Sequence, residues 1–225
     1  MRHLEVRFLS VSLVLMTTVG TVTAQTLTVA RVVDGDTFEL SDGRTVRLIG
    51  VDAPEVHPSA KRQRDIERSE HDRQTLEALG HRAGTYAATQ VAGGRIALEL
   101  DPTNAAIGHR DRYGRVLAYV WILDEFGKEL FCVNERLIAD GYVYAYTKYP
   151  FMHMGDYLEL QRSARSGERG LWDPEMPIEP FKDRDCGDFS TQAEAQRFFI
   201  AQGGPEYDPH RLDGDGNGRA CERLP

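Results

Sequence analysis

Residues 26–55 read TLTVARVVDGDTFELSDGRTVRLIGVDAPE, and apolar and polar side chains alternate along three parts of this stretch. Alternation with a period of two is typical of strands that bury one face. The alternating parts and the turns between them are residues 26–33, Asp34-Gly35, residues 38–40, residues 41–43 and residues 45–51. Pro54 then ends the third part. The stretch therefore predicts a meander of three strands.

The next part of the chain, up to residue 173, contains both helix and strand patterns. Residues 76–91 have the apolar spacing of a helix that Gly93-Gly94 ends. Further strands are predicted over residues 95–100, 115–123 and 129–133, and further helices over residues 133–141 and 157–165. The charged residues 60–74 fit either a loop or a frayed helix. About five of these six strands, with three packed helices, predict an α+β fold built on a small β-barrel, which closes its own sheet edges.

The amino terminus has the features of a secretory signal peptide. Arg2 and Arg7 precede an apolar run over residues 8–22, and Val22-Thr23-Ala24 offers small residues before Gln25. An uncleaved membrane anchor is the alternative, but the run contains serine, threonine and glycine and is shorter than the ~20 residues of a membrane span. We expect residues 1–24 to be removed, and the mature chain to be secreted or periplasmic without a membrane span.

The composition is that of an ordered, acidic protein. Of 225 residues, 41% are hydrophobic and 28% charged, which excludes disorder as the main state. The formal net charge of -8 counts against strong nonspecific DNA binding but favours calcium uptake. No internal repeat or low-complexity stalk is present, which argues against an adhesion or structural protein.

The chain has three cysteines. Export permits disulfides, and Cys186 and Cys221 lie in a short terminal segment that needs a covalent link. We expect that pair to be bonded and Cys132, within an apolar run, to be a buried free thiol. The sequence alone leaves the other pairings open.

Three short phrases carry residues suited to phosphodiester cleavage: residues 33–37, 47–55 and 111–115. The candidate residues are Asp36 and Asp52 as hard oxygen ligands, Arg47 and Arg115 as cations for a phosphate, and Glu55 as a base. Each phrase alone fits an ordinary turn, edge strand or strand end, and Asp34 is the expected turn-forming residue. Adjacent antiparallel strands would bring the groups together, so their combination predicts a metal-assisted phosphodiesterase.

These phrases resemble the thermonuclease (staphylococcal nuclease-like) family over roughly residues 26–172. Val133-Asn134-Glu135 and the Gly-Leu-Trp that ends at Trp172 also match. The resemblance implies an OB-fold, a five-stranded barrel with three helices, over a domain of residues 25–173. It further implies one Ca²⁺ in the site and endonucleolytic cleavage of DNA or RNA.

The resemblance distributes the roles among the same five residues: catalysis by Arg47, Glu55 and Arg115, and calcium ligation by Asp36 and Asp52. Ala53 stands where the family can place a threonine, and it resembles a position that ligates through its backbone carbonyl. Because a carbonyl oxygen does not depend on the side chain, alanine should serve equally well there.

Several tyrosines are candidates for stacking on nucleobases. Tyr113 resembles the family's nucleotide-contacting tyrosine, and Tyr144 and Tyr146 lie where further stacking residues are expected. Tyr142 and Tyr149 are weaker candidates of the same kind. Stacking on aromatic faces is independent of base identity, which suits low sequence specificity. The alternative is that these rings fill the core.

A second, smaller domain is expected after a proline-rich linker at residues 174–181. Thr191 and Glu194 form a capping box that begins a helix, and residues 213–218 place oxygen ligands at positions 1, 3 and 5 and glycine at 6 of a calcium loop. The candidate ligands are Asp213, Asp215, Asn217 and Glu222. Residues 182–225 resemble the Excalibur domain, an extracellular calcium-binding module, which implies a second Ca²⁺; a flexible tail is the alternative.

Two functions are compatible with these features. The first is an exported, calcium-dependent endonuclease that cleaves DNA or RNA with low sequence specificity. The second is a noncatalytic extracellular module that binds nucleic acid or the cell surface through calcium. Glu55 favours the enzyme, because a binding module has no need of that carboxylate beside two arginines. We expect a monomer that associates with the cell surface or cell wall.

Overall fold

The computed structural model describes residues 26–56, 73–175 and 179–225. The predicted signal peptide at residues 1–24, most of the charged residues 60–74 and the middle of the linker at 174–181 lie outside the described residues. Within the described ranges, no helix is long and apolar enough to cross a bilayer.

The strand and helix order follows the predicted pattern. The strands are β1 (Val29–Asp34), β2 (Thr37–Leu40), β3 (Thr45–Leu48), β4 (Val51–Asp52), β5 (Arg95–Glu99), β6 (Val116–Leu123), β7 (Glu129–Cys132) and β8 (Tyr144–Ala145). The helices are α1 (Arg73–Val91), α2 (Val133–Ala139), α3 (Met154–Ser166) and α4 (Gln192–Ala201), with short 3₁₀ helices at Pro102–Ile107, Gly170–Trp172 and Cys186–Asp188. Helices α1, α2 and α3 are the three predicted for the first domain.

The main sheet is mixed. Its strand order is β1-β2-β3-β6-β5, β7 also pairs with β6, and β4 pairs separately with β8. The predicted meander β1-β2-β3 is confirmed as antiparallel, whereas β3 and β6 run parallel. Within the described residues the strand ladder is not closed: the chain just before β1 meets β5 through one bridge, Thr28–Arg95, and one hydrogen bond from the Ile96 N–H to the Leu27 carbonyl at 2.8 Å. Only the residues just before β1 reach β5.

The third predicted strand, residues 45–51, is interrupted at Gly50. This glycine has φ +71°, and a Cβ atom there would lie 2.5 Å from Cζ of Phe151. The backbone therefore turns between β3 and β4, and β4 pairs with β8 instead of continuing β3. The turn redirects the segment that carries Asp52 and Glu55.

Asn134, at the start of α2, links β6 to the end of β3 from inside the core. Its Nδ2 donates to the carbonyls of Ile49 at 3.0 Å and Ala118 at 3.3 Å, and its Oδ1 accepts the N–H of Val120 at 3.0 Å. The Ala118 carbonyl also accepts the Ile49 N–H at 3.1 Å, so the amide side chain reinforces the junction between β6 and the end of β3.

Two hydrophobic cores are present in the described residues. The larger lies between the main sheet and helices α1–α3, and the smaller contains Phe199 of α4 with Phe189 and Leu212. The Cys186–Cys221 disulfide is confirmed, with a Cα–Cα distance of 5.5 Å, and Cys132 is a buried free thiol as predicted.

Helix α4 begins as the capping pattern predicts. The Thr191 hydroxyl accepts the Glu194 N–H at 3.2 Å. The Glu194 carboxylate accepts the N–H of Ser190 at 3.0 Å, one residue before the cap. Both side chains therefore satisfy backbone donors at the start of the helix.

Candidate active site

Asp36, Arg47 and Asp52 meet at one end of the main sheet. Asp36 lies in the turn between β1 and β2 and is buried. Its Oδ1 lies 3.0 Å from Nη1 of Arg47, and its Oδ2 accepts the N–H of Ala53 at 2.8 Å. Nη2 of Arg47 lies 3.4 Å from Oδ1 of Asp52. A single guanidinium therefore bridges the two carboxylates that the sequence nominates as metal ligands.

Strand register explains why Arg115 faces the same site. Arg47 on β3 is opposite Thr37 on β2 and Leu117 on β6. Arg115 precedes Leu117 by two residues, and side chains two apart lie on the same face of a strand. Consistent with this, Nη1 of Arg115 lies 3.4 Å from the Thr37 hydroxyl. The parallel β3–β6 pair thus brings the two arginines to one face.

Asp111 holds Arg115 in place. Its Oδ2 accepts from Nε of Arg115 at 2.7 Å and lies 2.6 Å from Nη2. Its Oδ1 accepts the backbone N–H groups of Tyr113 at 2.9 Å and Arg115 at 3.0 Å. One carboxylate therefore fixes both the turn before β6 and the guanidinium that the turn carries.

The electrostatics of the site centre on the first turn. Burial opposes ionisation of Asp36, but the charge of Arg47 and hydrogen bonds from the Ala53 N–H and the Thr37 hydroxyl hold the pKa of its carboxyl below the ordinary value. Asp34 caps this turn, as predicted, by accepting the Asp36 N–H at 3.0 Å. Burial, and then the neighbouring Asp36 charge, raise the pKa of Asp34 to about 8.

Glu55 lies on the segment that follows β4 and is half-buried. The residues on either side of it, Pro54 and Val56, are buried against Gly80 of α1. A Cβ atom at Gly80 would lie 2.6 Å from the Pro54 carbonyl oxygen and 2.5 Å from Val56. This close contact fixes the backbone of Glu55 three residues beyond Asp52.

The candidate stacking tyrosines differ in their surroundings. Tyr113 is 67% exposed, with the guanidinium of Arg112 4.7 Å and that of Arg115 5.4 Å from its ring centre. Tyr144 is opposite Asp52 in the β4–β8 pair and meets the Trp172 ring edge-on at 5.6 Å. The exposed ring of Tyr113 therefore lies beside two arginines, one of which is the candidate catalytic residue Arg115. Tyr144 lies beside Asp52, a candidate calcium ligand.

The other three tyrosines lie on the segment that contains β8. The ring of Tyr146 lies 6.2 Å from that of Tyr149, and its N–H donates to the Gly50 carbonyl at 2.8 Å. Tyr142 stacks on Tyr86 at 3.9 Å, so one of its faces is already covered. Tyr142 is consequently the least suited of the five to receive a base.

The donor chemistry of the site fits calcium. In the described part of the chain, no group of three or more His, Cys, Asp or Glu side chains is arranged to hold a metal ion. Asp36 and Asp52 nevertheless supply carboxylate oxygens, which calcium prefers over nitrogen or sulfur. Since calcium takes six to eight oxygens, two carboxylates alone would not complete its ligand set.

The candidate calcium loop of the second domain is a network of turns. Asp213 accepts the N–H groups of Asn217 at 3.1 Å and Gly218 at 2.7 Å. Asp215 accepts from the Asn217 amide at 2.9 Å. Glu222, the candidate closing ligand, lies 3.4 Å from the Arg219 guanidinium. Hydrogen bonds therefore link Asp213, Asp215 and Asn217 to one another, and Glu222 is paired with an arginine.

Helix α4 and Asp208 hold this loop in place. Gln196 donates to the Gly218 carbonyl at 2.9 Å and accepts the Ala220 N–H at 2.8 Å. Asp208 accepts the N–H groups of Leu212 at 3.1 Å and Asp213 at 2.9 Å. The start and the end of the loop are thus both anchored.

Sequence reasoning missed three supporting residues. Thr37 contacts both Asp36 and Arg115, Asp111 fixes Arg115, and Asp208 anchors the second-domain loop. For Asp111 a signal was available, since an aspartate often accepts the backbone N–H two residues further on. Thr37 carried no such signal, because its role depends on strand register.

Comparison with known proteins agrees with this geometry. Residues 45–174 match the model of the family described as Staphylococcal nuclease homologue, and residues 183–222 match the Excalibur calcium-binding domain. The two matched ranges lie one after the other along the chain, with residues 175–182 between them. Calcium is accordingly the cofactor of the chain.

The relatives that match about two thirds of the chain include a thermonuclease. The chain is 32% identical to the thermonuclease of Staphylococcus hyicus over 153 residues, which cover 66% of this chain and 76% of that protein. It is 32% identical to an uncharacterised protein of Methanocaldococcus jannaschii over 153 residues (64% and 70%). It is 30% identical to an uncharacterised endonuclease of Escherichia coli over 159 residues (68% and 80%). The family model covers more than half of the chain, and the family of staphylococcal nuclease homologues implies an OB-fold. The chain therefore belongs to this family, as a hydrolase of phosphodiester bonds with an Excalibur domain on its carboxyl-terminal side.

Proposed function

We propose that the chain is an exported, calcium-dependent endonuclease that hydrolyses DNA, RNA or both with low sequence specificity. The observation that supports this most directly is the Arg47 guanidinium bridging Asp36 and Asp52 at 3.0 and 3.4 Å. Arg115 joins them on the same face of the sheet. Two cations beside two carboxylates suit a site that binds a phosphate together with a divalent ion.

Arg47 and Arg115 bind the scissile phosphate. Each guanidinium presents several N–H donors in a plane, which can bond two phosphate oxygens at once. Their hydrogen bonds strengthen as negative charge accumulates on the phosphate oxygens in the transition state. Arg115 is positioned for this by Asp111, and Arg47 by Asp36, so neither side chain has to be ordered when the substrate arrives.

Asp36, Asp52 and the backbone carbonyl of Ala53 would hold the calcium ion. When bound, the ion supplies Lewis-acid polarisation of a phosphoryl oxygen and orients the phosphate. Arg47 is already paired with Asp36 and Asp52, so a calcium ion bound by these carboxylates would share them with the Arg47 guanidinium. A phosphate offers Arg47 a replacement partner at that point.

Glu55 acts as the general base. It takes a proton from a water molecule, whose oxygen attacks phosphorus in line with the leaving oxygen. The phosphorus–oxygen bond to the leaving group breaks, and the leaving oxygen gains a proton from solvent. Packing of Pro54 and Val56 on α1 fixes the backbone that carries this carboxylate.

Tyr113, Tyr144 and Tyr146 contact the nucleotides next to the cleaved bond. The exposure of Tyr113 beside Arg115 supports this assignment most strongly. Aromatic stacking accepts any base, which accounts for low sequence specificity.

The second domain binds its own calcium ion through Asp213, Asp215, Asn217 and Glu222. Its disulfide suits an oxidising compartment, and with the signal-like residues 1–24 this supports a secreted or periplasmic location. We further propose that the protein is a monomer and that the second domain promotes association with the cell surface or cell wall.

Hydrolysis of supercoiled plasmid tests the proposal. Wild-type protein should nick the plasmid with calcium and lose this activity with a chelator, and Glu55→Gln should remain inactive with calcium. The matched control is Glu39→Gln, because Glu39 is an exposed carboxylate paired with Arg31 on the surface. Equal cleavage in all conditions, or an active Glu55→Gln, would contradict the mechanism, and binding without turnover would favour the noncatalytic alternative.

A further inference from the structure

Helix α1 supports both segments that carry the proposed catalytic groups. A Cβ atom at Gly35, in the turn that carries Asp36, would lie 2.8 Å from Cβ of Ala83 and 2.9 Å from Cβ of Ala53. One turn earlier in α1, Gly80 contacts the backbone of Pro54. The small side chains of α1 therefore allow the helix to approach the backbones on which Asp36 and Glu55 depend.

The same helix is contacted by Tyr207 of the second domain. A Cβ atom at Gly84 would lie 2.5 Å from Cζ of Tyr207, and the Tyr207 hydroxyl lies 2.8 Å from Nδ1 of His81. Tyr207 is only 4% exposed and belongs to the larger core. Glycine weakens a helix relative to alanine, so its presence at position 84 is explained by the space that the ring needs.

Further contacts surround Tyr207. The Thr85 hydroxyl donates to the Gln202 carbonyl at 3.0 Å, and the N–H of Val32 on β1 donates to the Glu206 carbonyl at 2.5 Å. The ring of Phe181 stacks on His81 at 3.6 Å. The second domain and the adjoining linker residue Phe181 therefore contact α1 and β1, the two elements next to the turn that carries Asp36.

Tyr207 is also close to the calcium loop of its own domain. It is followed directly by Asp208, whose carboxylate accepts the N–H groups of Leu212 and Asp213. Asp213 is the first candidate ligand of that loop. A continuous set of contacts therefore runs from the loop through Asp208 and Tyr207 to α1.

We propose that Tyr207 is a positioning residue of the nuclease site: its ring holds α1 against the backbones of Asp36 and Glu55. The expected effect of Tyr207 on catalysis rests on the proposed function, whereas its expected effect on the position of α1 does not. When the ring is absent, α1 is free to move away, the Asp36 turn loosens, and the hydrogen bond from the Ala53 N–H to Asp36 opens more often.

The test compares full-length wild type with Tyr207→Ala and Tyr207→Phe. In Tyr207→Ala, kcat should fall about 10- to 100-fold and half-maximal cleavage should need severalfold more calcium, while KM for DNA at saturating calcium stays within about twofold. Tyr207→Phe keeps the ring and should restore kcat to within about threefold of wild type. Phe126→Ala, which removes an aromatic ring that is 87% exposed, is the matched control and should be unchanged.

A second readout does not depend on activity. Amide hydrogen exchange at Ala53 should be at least about tenfold faster in Tyr207→Ala than in wild type or Tyr207→Phe. Gly84→Ala provides an independent variant in case Tyr207→Ala does not fold. Alanine favours the helix, so a loss of kcat in Gly84→Ala would come from the displaced ring and not from a weaker α1.

Folded variants decide the outcome. If Tyr207→Ala and Gly84→Ala are both folded by circular dichroism and keep wild-type kcat and wild-type Ala53 exchange, the proposed role of Tyr207 is wrong. If the wild type fails to cleave DNA with calcium, the proposed function fails instead. The Ala53 exchange rates still test the positioning role in that case.

Discussion

The Arg47 guanidinium and the Asp36 carboxylate form an ion pair of 3.0 Å from which solvent is almost excluded, with 16% and 8% of the two side chains exposed. The same guanidinium extends to Asp52 on the opposite side. Both contacts require a planar group with separate donors, and an ammonium group cannot reproduce this arrangement. Replacing the Arg47 guanidinium by another cation should therefore impair the site even though the positive charge is kept.

We expect Arg47→Lys to lower kcat by about 100-fold or more, because lysine offers a single point charge where two oxygens have to be bound together. Steady-state hydrolysis of a fluorescent oligonucleotide measures the loss. Arg31→Lys is the matched control, since Arg31 forms an exposed pair with Glu39, and it should retain full activity. An Arg47→Lys enzyme within threefold of wild type would show that the bridge is dispensable.

Asp111→Asn should lower kcat by about tenfold while the protein stays folded. The variant removes the charge that orients Arg115, although the side-chain oxygen can still accept the backbone N–H groups. Asp42→Asn provides the comparison, because Asp42 makes the same kind of contacts to Arg44 on the surface. A similar loss in both variants would mean that the effect is unrelated to Arg115.

Asp101 should make folding stability depend on acid pH. Burial disfavours its charge, but hydrogen bonds from the Met152 N–H, the Tyr119 hydroxyl and the Thr103 N–H outweigh this and lower the pKa of Asp101 from 3.8 to about 2. A lowered folded-state pKa stabilises the protein above the unfolded value, and this stabilisation is lost as the pH falls toward 2. Asp101→Asn should therefore destabilise the protein by about 1 to 2 kcal/mol at pH 7, allowing for solvent screening.

The pH dependence itself is the check on this prediction. Urea unfolding of wild type and Asp101→Asn at pH 7 and pH 3 gives the difference in unfolding free energy at each pH. We expect that difference to shrink by about half at pH 3, where most of the unfolded chains already carry the proton. A difference that is the same at both pH values would contradict the assignment to the Asp101 charge.

Asp213→Asn/Asp215→Asn should reduce the number of calcium ions bound from two to one. The change removes two carboxylates from the second-domain loop while keeping side chains of similar size and hydrogen-bonding capacity. Isothermal titration calorimetry gives the stoichiometry. Asp124→Asn is the control, since Asp124 also accepts two backbone N–H groups in a turn and should leave both ions bound. A variant that still binds two ions would place the second site elsewhere.

Much of the fold follows from local patterns. Alternation predicted β1, β2 and all of β3, and the Thr191 pattern predicted the start of α4. The break at Gly50 escaped prediction because alternation continues through it, and the need for a turn comes from Phe151, which is distant in sequence.

The candidate site could be named from the sequence as a set of residues but not as an arrangement. Five site residues could be named because their chemistry and order suit a phosphodiesterase. The bridging by Arg47 and the role of Thr37 depend on how β2, β3 and β6 align, and the β3–β6 pair is parallel and separated by a long stretch of chain. The contact of Tyr207 with Gly84 joins two predicted domains, and no local pattern indicates such a contact.

Because residue 84 is a glycine and has no side chain, only certain second domains can pack against α1. A second domain with a residue smaller than tyrosine at the position of Tyr207 would leave a gap against α1. A nuclease domain with alanine at position 84 would have no room for the Tyr207 ring. The two halves are therefore fitted to each other and are not freely interchangeable modules. Shuffling either one into another protein would require both sides of this contact to be transferred together.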